Sequence, residues 1–264
     1  MASIYWHIAN TNPYIALQCE GYAKRHKKVA FRRWWYLIKT LYRNRGHYFG
    51  EIIDSEGMRQ LIAQYDVISF DIFDTLLIRP YEKPTDLFLE LEKRKQMDEF
   101  ANKRILAEQR AREHHKELED ITLEHIYQEI EYEFKNLKKE EMSLEEEVLT
   151  INPSVYEVYQ YALEKGKTII ICSDMYLPRD FLESILYKNG YEGFCEMFVS
   201  SDIMLTKSSG NLYKYVLNKM DISSNSILHI GDNLESDGNA NRLYGIAYIY
   251  VHGSMFVRIG SKAI

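Results

Sequence analysis

The run Val67-Ile68-Ser69-Phe70-Asp71-Ile72-Phe73-Asp74-Thr75-Leu76-Leu77 begins apolar and ends in two carboxylates and a hydroxyl. A short apolar run closed by a polar loop is the pattern of a strand buried on both faces. The same design returns far downstream in Ile227-Leu228-His229-Ile230-Gly231-Asp232-Asn233-Leu234-Glu235-Ser236-Asp237. Strands covered on both faces need helices on both sides, so the pair predicts a mostly parallel α/β sheet. The acids then lie along its carboxyl edge, where open α/β folds place their ligands.

The rest of the chain alternates accordingly. Strands are expected over 66–71, 168–172, 197–200, 227–230 and 246–251. Helices are expected over 155–164, from Pro178 to Gly190, over 212–220 and over 235–243. Residues 85–147 break the rhythm with helical spacing and abundant Glu, Lys and Arg. That is too long for an ordinary crossover, so it reads as a helical insertion over the site, its charges on solvated faces. The expected division is an extension over 1–64, an α/β core over 65–80 and 152–264, and a helical insertion over 81–151.

With 264 residues and 46% hydrophobic content the chain can bury a sizeable core. Its net charge of -6 is unevenly spread: residues 1–50 hold nine Lys or Arg and one acid, Glu20. The body is therefore acidic, and no nucleic-acid partner is expected. In the head, bases interleave with Trp34, Trp35 and Tyr36 in an expected helix over 28–43. The preferred reading is a helix packed on the core; the alternative is contact with an anionic membrane surface or a partner through residues 24–45. Cys19, Cys172 and Cys195 lack ligand spacing, which suits a reducing, cytoplasmic setting. No secretory pattern and no run of 18 apolar residues occurs.

Four strand ends supply Asp71, Ser173, Lys207 and the Asp232/Asp237 pair, which a parallel sheet gathers on one rim. Carboxylates without nearby bases suit a hard cation, most naturally Mg²⁺. Lys207, the Ser173 hydroxyl and loop N–H groups suit a phosphoryl group. No Gly-rich nucleotide loop is present. Other residues have plainer readings. His229 is expected in the core or behind the site, His114 and His115 on the surface, Cys172 in packing and Glu235 at a helix start. Asp174 is expected to cap the next helix or to touch substrate, while Tyr176, Arg79 and Tyr81 are candidates to line a cavity.

At these residues the chain resembles the haloacid dehalogenase-like (HAD) hydrolase superfamily. The signatures Asp71-Ile72-Phe73-Asp74-Thr75, Ser173, Lys207, and Gly231-Asp232 with Asp237 stand in its order. The resemblance covers about residues 65–252 and implies a Rossmannoid parallel sheet with an inserted helical cap and, here, an N-terminal helical extension. The first motif, with Cys172-Ser173-Asp174-Met175-Tyr176-Leu177-Pro178, is similar to a bacterial subgroup associated with surface polysaccharide and glycosyltransferase genes. The resemblance therefore adds a glycosyltransferase as a partner and the inner membrane face as a peripheral location.

Carried over residue by residue, the resemblance makes Asp71 the nucleophile and Lys207 its neutralising cation. Ser173, Asp174 and Thr75 fall on the substrate side. Mg²⁺ would be held by Asp71, the Phe73 backbone carbonyl, Asp232 and Asp237, with Asp237 bound directly or through water. The expected activity is a phosphatase for a small phosphorylated metabolite such as a sugar or polyol phosphate. One position departs from the pattern: two residues after the nucleophile stands Phe73, where an acid/base Asp is usual. General acid catalysis is worth about 10²- to 10⁴-fold, so three readings follow. Asp74 serves as a displaced acid/base, the leaving group needs no proton, or the domain is a slow or inactive phosphate-binding module. A haloacid dehalogenase ranks below these, because the Asp232/Asp237 pair is retained.

Overall fold

The computed structural model describes residues 48–81, 83–252 and 255–261, and Gly50–Ser261 cluster into one compact unit. The helix expected over 28–43, and with it the contact surface over 24–45, lies outside the described residues. Nine strands occur among the described residues: β1 (Tyr48–Ile53), β2 (Val67–Phe70), β3 (Leu77–Ile78), β4 (Thr150–Ile151), β5 (Thr168–Ser173), β6 (Glu196–Val199), β7 (Ile227–Gly231), β8 (Ala247–His252) and β9 (Met255–Ser261). The α-helices are α1 (Ser55–Ala63), α2 (Asp86–Lys95), α3 (Phe100–His114), α4 (Leu123–Glu129), α5 (Lys138–Val148), α6 (Pro153–Glu164), α7 (Arg179–Lys188), α8 (Ser200–Ile203), α9 (Asn211–Met220) and α10 (Gly238–Tyr244). None is long and apolar enough to cross a membrane.

Seven strands form one sheet in the order β1-β9-β8-β7-β2-β5-β6. β2 sits centrally and pairs in parallel with β5 and β7, which pair in parallel with β6 and β8. β9 returns antiparallel on β8. Side chains alternate between two apolar clusters, as the two-residue period of a strand requires. Ile68, Phe70, Ile169, Ile171, Leu228 and Ile230 face the cluster that takes Met58 from α1 and Val155 and Tyr159 from α6. Val67, Ile170, Cys172 and Ile227 face the other, with Leu212 and Val216 of α9. Each fully buried aliphatic side chain contributes about 1.5–3 kcal/mol, so the central strands are the firmest platform in the unit.

Two elements at the start of the unit, β1 and α1, lie where the sequence predicts no strand or helix. Asp54 caps α1 by accepting from Gly57 N at 2.8 Å, and Met58, Leu61 and Ile62 are buried along one stripe. β1 then adds to the sheet beside β9. Residues assigned to the extension thus belong to the same compact unit as the sheet, from Gly50 onward.

Helices α2 to α5 and a 3₁₀ turn over Tyr132–Leu137 form the helical block. A two-stranded antiparallel ribbon brackets it, pairing Leu77 with Ile151 and Ile78 with Thr150. Beneath the ribbon, Asn152 N (2.9 Å) and Tyr191 Oη (2.6 Å) both donate to the Leu76 carbonyl. Not all of the block's charges are solvated, contrary to expectation. Arg104 is fully buried, gives Glu141 two hydrogen bonds of 2.8 and 2.9 Å, and lies 4.5 Å over the Phe88 ring. The bidentate partner satisfies the guanidinium, which is what allows an Arg inside. His114 is exposed and pairs with Glu129, while His115 stacks on His125.

Candidate active site

β2 ends at Phe70, which is in register with Ile171 of β5 and Ile230 of β7. Asp71 therefore emerges at the sheet rim, its N–H bonded to the Ile230 carbonyl at 2.9 Å. The chain turns tightly after it: Leu77 N donates to Ile72 O at 2.8 Å, and Asp74 adopts φ 54°. That left-handed conformation is one that Asp tolerates better than most side chains. Thr75 is fully buried, and its Oγ1 has no hydrogen bond among the described residues.

Lys207 is buried, and its Nζ lies 2.8 Å from Asp71 Oδ1 and 2.6 Å from Asp237 Oδ1. The Asp71 contact is an ion pair without hydrogen-bond alignment, so that oxygen keeps accepting capacity. Burial favours the neutral amine, but Asp237, Asp71 and Asp174 outweigh it and hold Lys207 as an ammonium. Asp174 has another role than the expected cap. Its oxygens accept from Lys207 N (2.7 Å) and Ser208 N (3.1 Å), tying the β5 loop to the lysine loop. Helix α7 starts several residues later, with Pro178 at its N-cap and no side-chain cap. Burial pushes the Asp174 carboxyl up to about 6 despite the nearby Lys207.

The acidic loop leaves β7 at Gly231. A Cβ there would stand 2.2 Å from Asp237 Oδ2, so only glycine lets the two segments approach this closely. Asp237 is fully engaged: Oδ1 meets Lys207 and His229 Nε2 (3.2 Å), and Oδ2 accepts from Asn233 N at 2.9 Å. Because a carboxylate only accepts, Nε2 carries the proton; in the neutral ring Nδ1 then accepts from Ser69 Oγ at 2.8 Å. This relay explains the one hydroxyl inside β2. Burial pushes Asp237 up, but Lys207 and His229 outweigh it and hold the carboxyl well below its usual range. Asn233 Oδ1 also accepts from the amides of Glu235 and Ser236. That turn delays α10 to Gly238, so Glu235 stands on the exposed loop and not at the helix start.

Asp232 contrasts with its neighbour. It has no hydrogen bond or ion pair among the described residues. Burial, then Asp71, Asp237 and Asp74, push its carboxyl well above the usual range. Asp71 is raised as well, by burial first, with Lys207 opposing. Oxygens of Asp71, Asp232 and Asp237 lie within 4.8 Å of one another. One ammonium cannot neutralise three carboxylates, and the surplus charge with the unengaged Asp232 fits a hard divalent cation.

The structure thus brings together Asp71, Lys207, Asp232 and Asp237, and the buried Ser173 ends β5, the parallel neighbour of β2, on the same rim of the sheet. Cys172 is buried in the second cluster, and burial pushes its thiol up to about 12, leaving it inert. Glu119 and Glu145, which the sequence does not single out, stand behind the site, Glu145 as the partner of the expected Arg79. Glu119 of the helical block accepts from Thr206 N at 2.9 Å and Ser209 Oγ at 2.6 Å. Arg79 lies 4.2 Å over the Phe73 ring and donates from Nε to Glu145 Oε1 at 2.6 Å. A Glu-rich helix offers no sequence signal for which of its acids turns inward.

Several solved structures share this fold. YfnB from Bacillus subtilis, assigned as a HAD-hydrolase and bound to magnesium, matches with a TM-score of 0.54 at 18% identity, over 71% of this chain and 89% of its own. A HAD family enzyme from Bacteroides thetaiotaomicron matches at 0.53 and 15%, over 72% and 94%. The 2-haloacid dehalogenase from Pseudomonas syringae matches at 0.50 and 15%, over 70% and 86%. No curated protein sequence matches significantly. The family model for haloacid dehalogenase-like hydrolases spans residues 65–242, which takes in β2, the helical block, the lysine loop and the acidic loop, and the chain belongs to that family.

Proposed function

We propose that the protein is an Mg²⁺-dependent phosphatase that acts on a small phosphorylated metabolite through an aspartyl-phosphate on Asp71. The observation that carries this reading is Lys207 Nζ, held between Asp71 and Asp237 at 2.8 and 2.6 Å beside the unengaged Asp232. An Asp71 oxygen attacks phosphorus, and the bond from phosphorus to the leaving oxygen breaks with its electron pair on that oxygen. Water then attacks phosphorus, its oxygen and both protons leave with inorganic phosphate, and Asp71 is restored. Lys207 favours the ionised form of Asp71 against the burial that raises it and offsets charge on the phosphoryl oxygens, to which the Ser173 hydroxyl donates. Asp232, the Phe73 carbonyl and Asp71 would hold Mg²⁺, with Asp237, already fully bonded, acting through water; the ion would supply further charge neutralisation. Asp74, the carboxylate next to Phe73, is the proposed proton donor for leaving groups that require one.

Purified protein is expected to release phosphate from members of a metabolite panel only with Mg²⁺, and Asp71→Asn to abolish that release. Equal turnover by wild type and Asp71→Asn refutes the assignment. Asp74→Asn is expected to lower turnover of sugar and polyol phosphates about 10²-fold, and unchanged rates remove it from the donor role. The rival, a phosphate-binding module without turnover, draws on Phe73. Its signature is phosphate binding that depends on Lys207 with no release from any substrate.

A further inference from the structure

Phe73 is unsuited to proton transfer, yet its ring is not idle. The Arg79 guanidinium stands 4.2 Å over the ring face, and Arg79 Nε is fixed by Glu145 of α5 at 2.6 Å. Both side chains are buried, 6% and 5% exposed. Of the five N–H groups of Arg79, only the Nε–H donates to another described residue, so both Nη groups keep their donors. Phe73 stands two residues past Asp71 and next to Asp74, so the pair packs against the loop that carries the nucleophile. A cation is thus built into the position past the nucleophile where an acid is absent. A guanidinium in a protein does not give up its proton, but it does stabilise an oxyanion by charge and two parallel N–H donors.

We propose that Arg79 binds the leaving group, and that the preferred substrates release an oxygen that departs as an anion, as acyl phosphates and phosphoanhydrides do. This rests on the phosphatase reading of the same site and narrows its substrate class away from sugar and polyol phosphates. In the first step the bond from phosphorus to the leaving oxygen breaks. The electron pair stays on a carboxylate or phosphate, which pairs with Arg79 and needs no proton. Helix α5 thereby helps choose the substrate, since Glu145 aims the guanidinium.

The test compares Arg79→Met with wild type on acetyl phosphate, pyrophosphate and glycerol 3-phosphate, each with Mg²⁺. Loss of one fixed donor to a developing oxyanion is worth about 10²- to 10³-fold. That loss in kcat/KM is expected on the first two substrates, with less than about 10-fold on the third. A residue that only holds the fold would lower all three together. Arg79→Met leaves Glu145 buried without its partner, so the double variant Arg79→Met/Glu145→Met, in which both charges go, serves if the single one does not fold. The inference is overturned by equal losses on all three substrates, or by undiminished acetyl phosphate turnover. If Asp71→Asn still abolishes release in that case, the phosphatase reading stands and only the Arg79 assignment fails. Phosphate release independent of Asp71 overturns both.

Discussion

Gly231→Ala probes whether the spacing between β7 and the acidic loop sets the site. The added Cβ would stand 2.2 Å from Asp237 Oδ2 and 2.5 Å from its Cγ, against 3.4–4 Å for ordinary contact. β7 cannot retreat, because it is bonded on one side to β2 and on the other to β8. The carboxylate must therefore move by about 1 Å or more on this geometry, away from Lys207 at 2.6 Å and Asn233 N at 2.9 Å. Stranding one partner of a buried ion pair costs about 3–5 kcal/mol, and the lost amide bond about 1 more. For a domain of this size each kcal/mol lowers Tm by about 2–4 °C, so a fall of at least about 6 °C is expected by circular dichroism. Gly238→Ala is the matched control: nothing lies within 4 Å of its added Cβ, and it opens α10. Ala there is expected to be neutral or to stabilise by up to about 1 kcal/mol. Superimposable melting curves for the two variants would falsify the reasoning, since the same chemical change would then be blind to Asp237.

Two further outcomes follow from the electrostatics. Asp232→Asn is expected to raise Tm without metal, because it removes a half-buried acid crowded by Asp71 and Asp237, and to erase the Tm rise that Mg²⁺ gives wild type; a persistent Mg²⁺ shift in the variant excludes Asp232 as a ligand. Asp174 has a folded-state pKa of about 6 against 3.8 in its reference state. Between those values the unfolded chain sheds the proton first, so stability falls as pH rises from about 4 to 6 and the contribution is absent above. The difference amounts to at most about 3 kcal/mol. Denaturant unfolding of wild type and Asp174→Asn across pH 4–7 checks it, and parallel profiles would show the carboxyl unperturbed.

The rim of the sheet was legible because double-sided burial leaves a distinctive trace. Val67–Phe70 and Ile227–Ile230 admit one polar residue each, Ser69 and His229, and these satisfy one another. What escaped pattern reading was set by partners distant in sequence. Glu141 and Glu145 lie in a run of acids where periodicity cannot show that Arg104 and Arg79 draw two of them inside. The β3–β4 ribbon has two residues per strand, below the length at which alternation carries information. α10 begins at Gly238, later than the spacing predicts, because the amides that Asn233 captures imitate a helix cap one turn upstream. By contrast α1 carried a readable signal, Asp54 followed by Met58, Leu61 and Ile62, obscured by its nearness to the basic head.

The helical block is tied to the sheet by polar contacts that end on the loops carrying the chemistry. On one side Glu119 accepts from Thr206 N and Ser209 Oγ beside Lys207, and Asn211 Nδ2 also donates to it. Its neighbour Asp120 is buried and accepts from Ser200 Oγ, which in turn accepts from Met175 N. On the other side Glu145 holds Arg79 over Phe73. Hydrogen bonds to charged groups are worth about 1.5–3 kcal/mol each, enough for docking of the block and ordering of these loops to be one linked equilibrium. Lifting the block would release the segment before Lys207 and the guanidinium above Phe73 together. The site is therefore shared between sheet and block: the sheet gathers the carboxylates at its rim, and the block fixes the lysine loop and the cation beside the nucleophile.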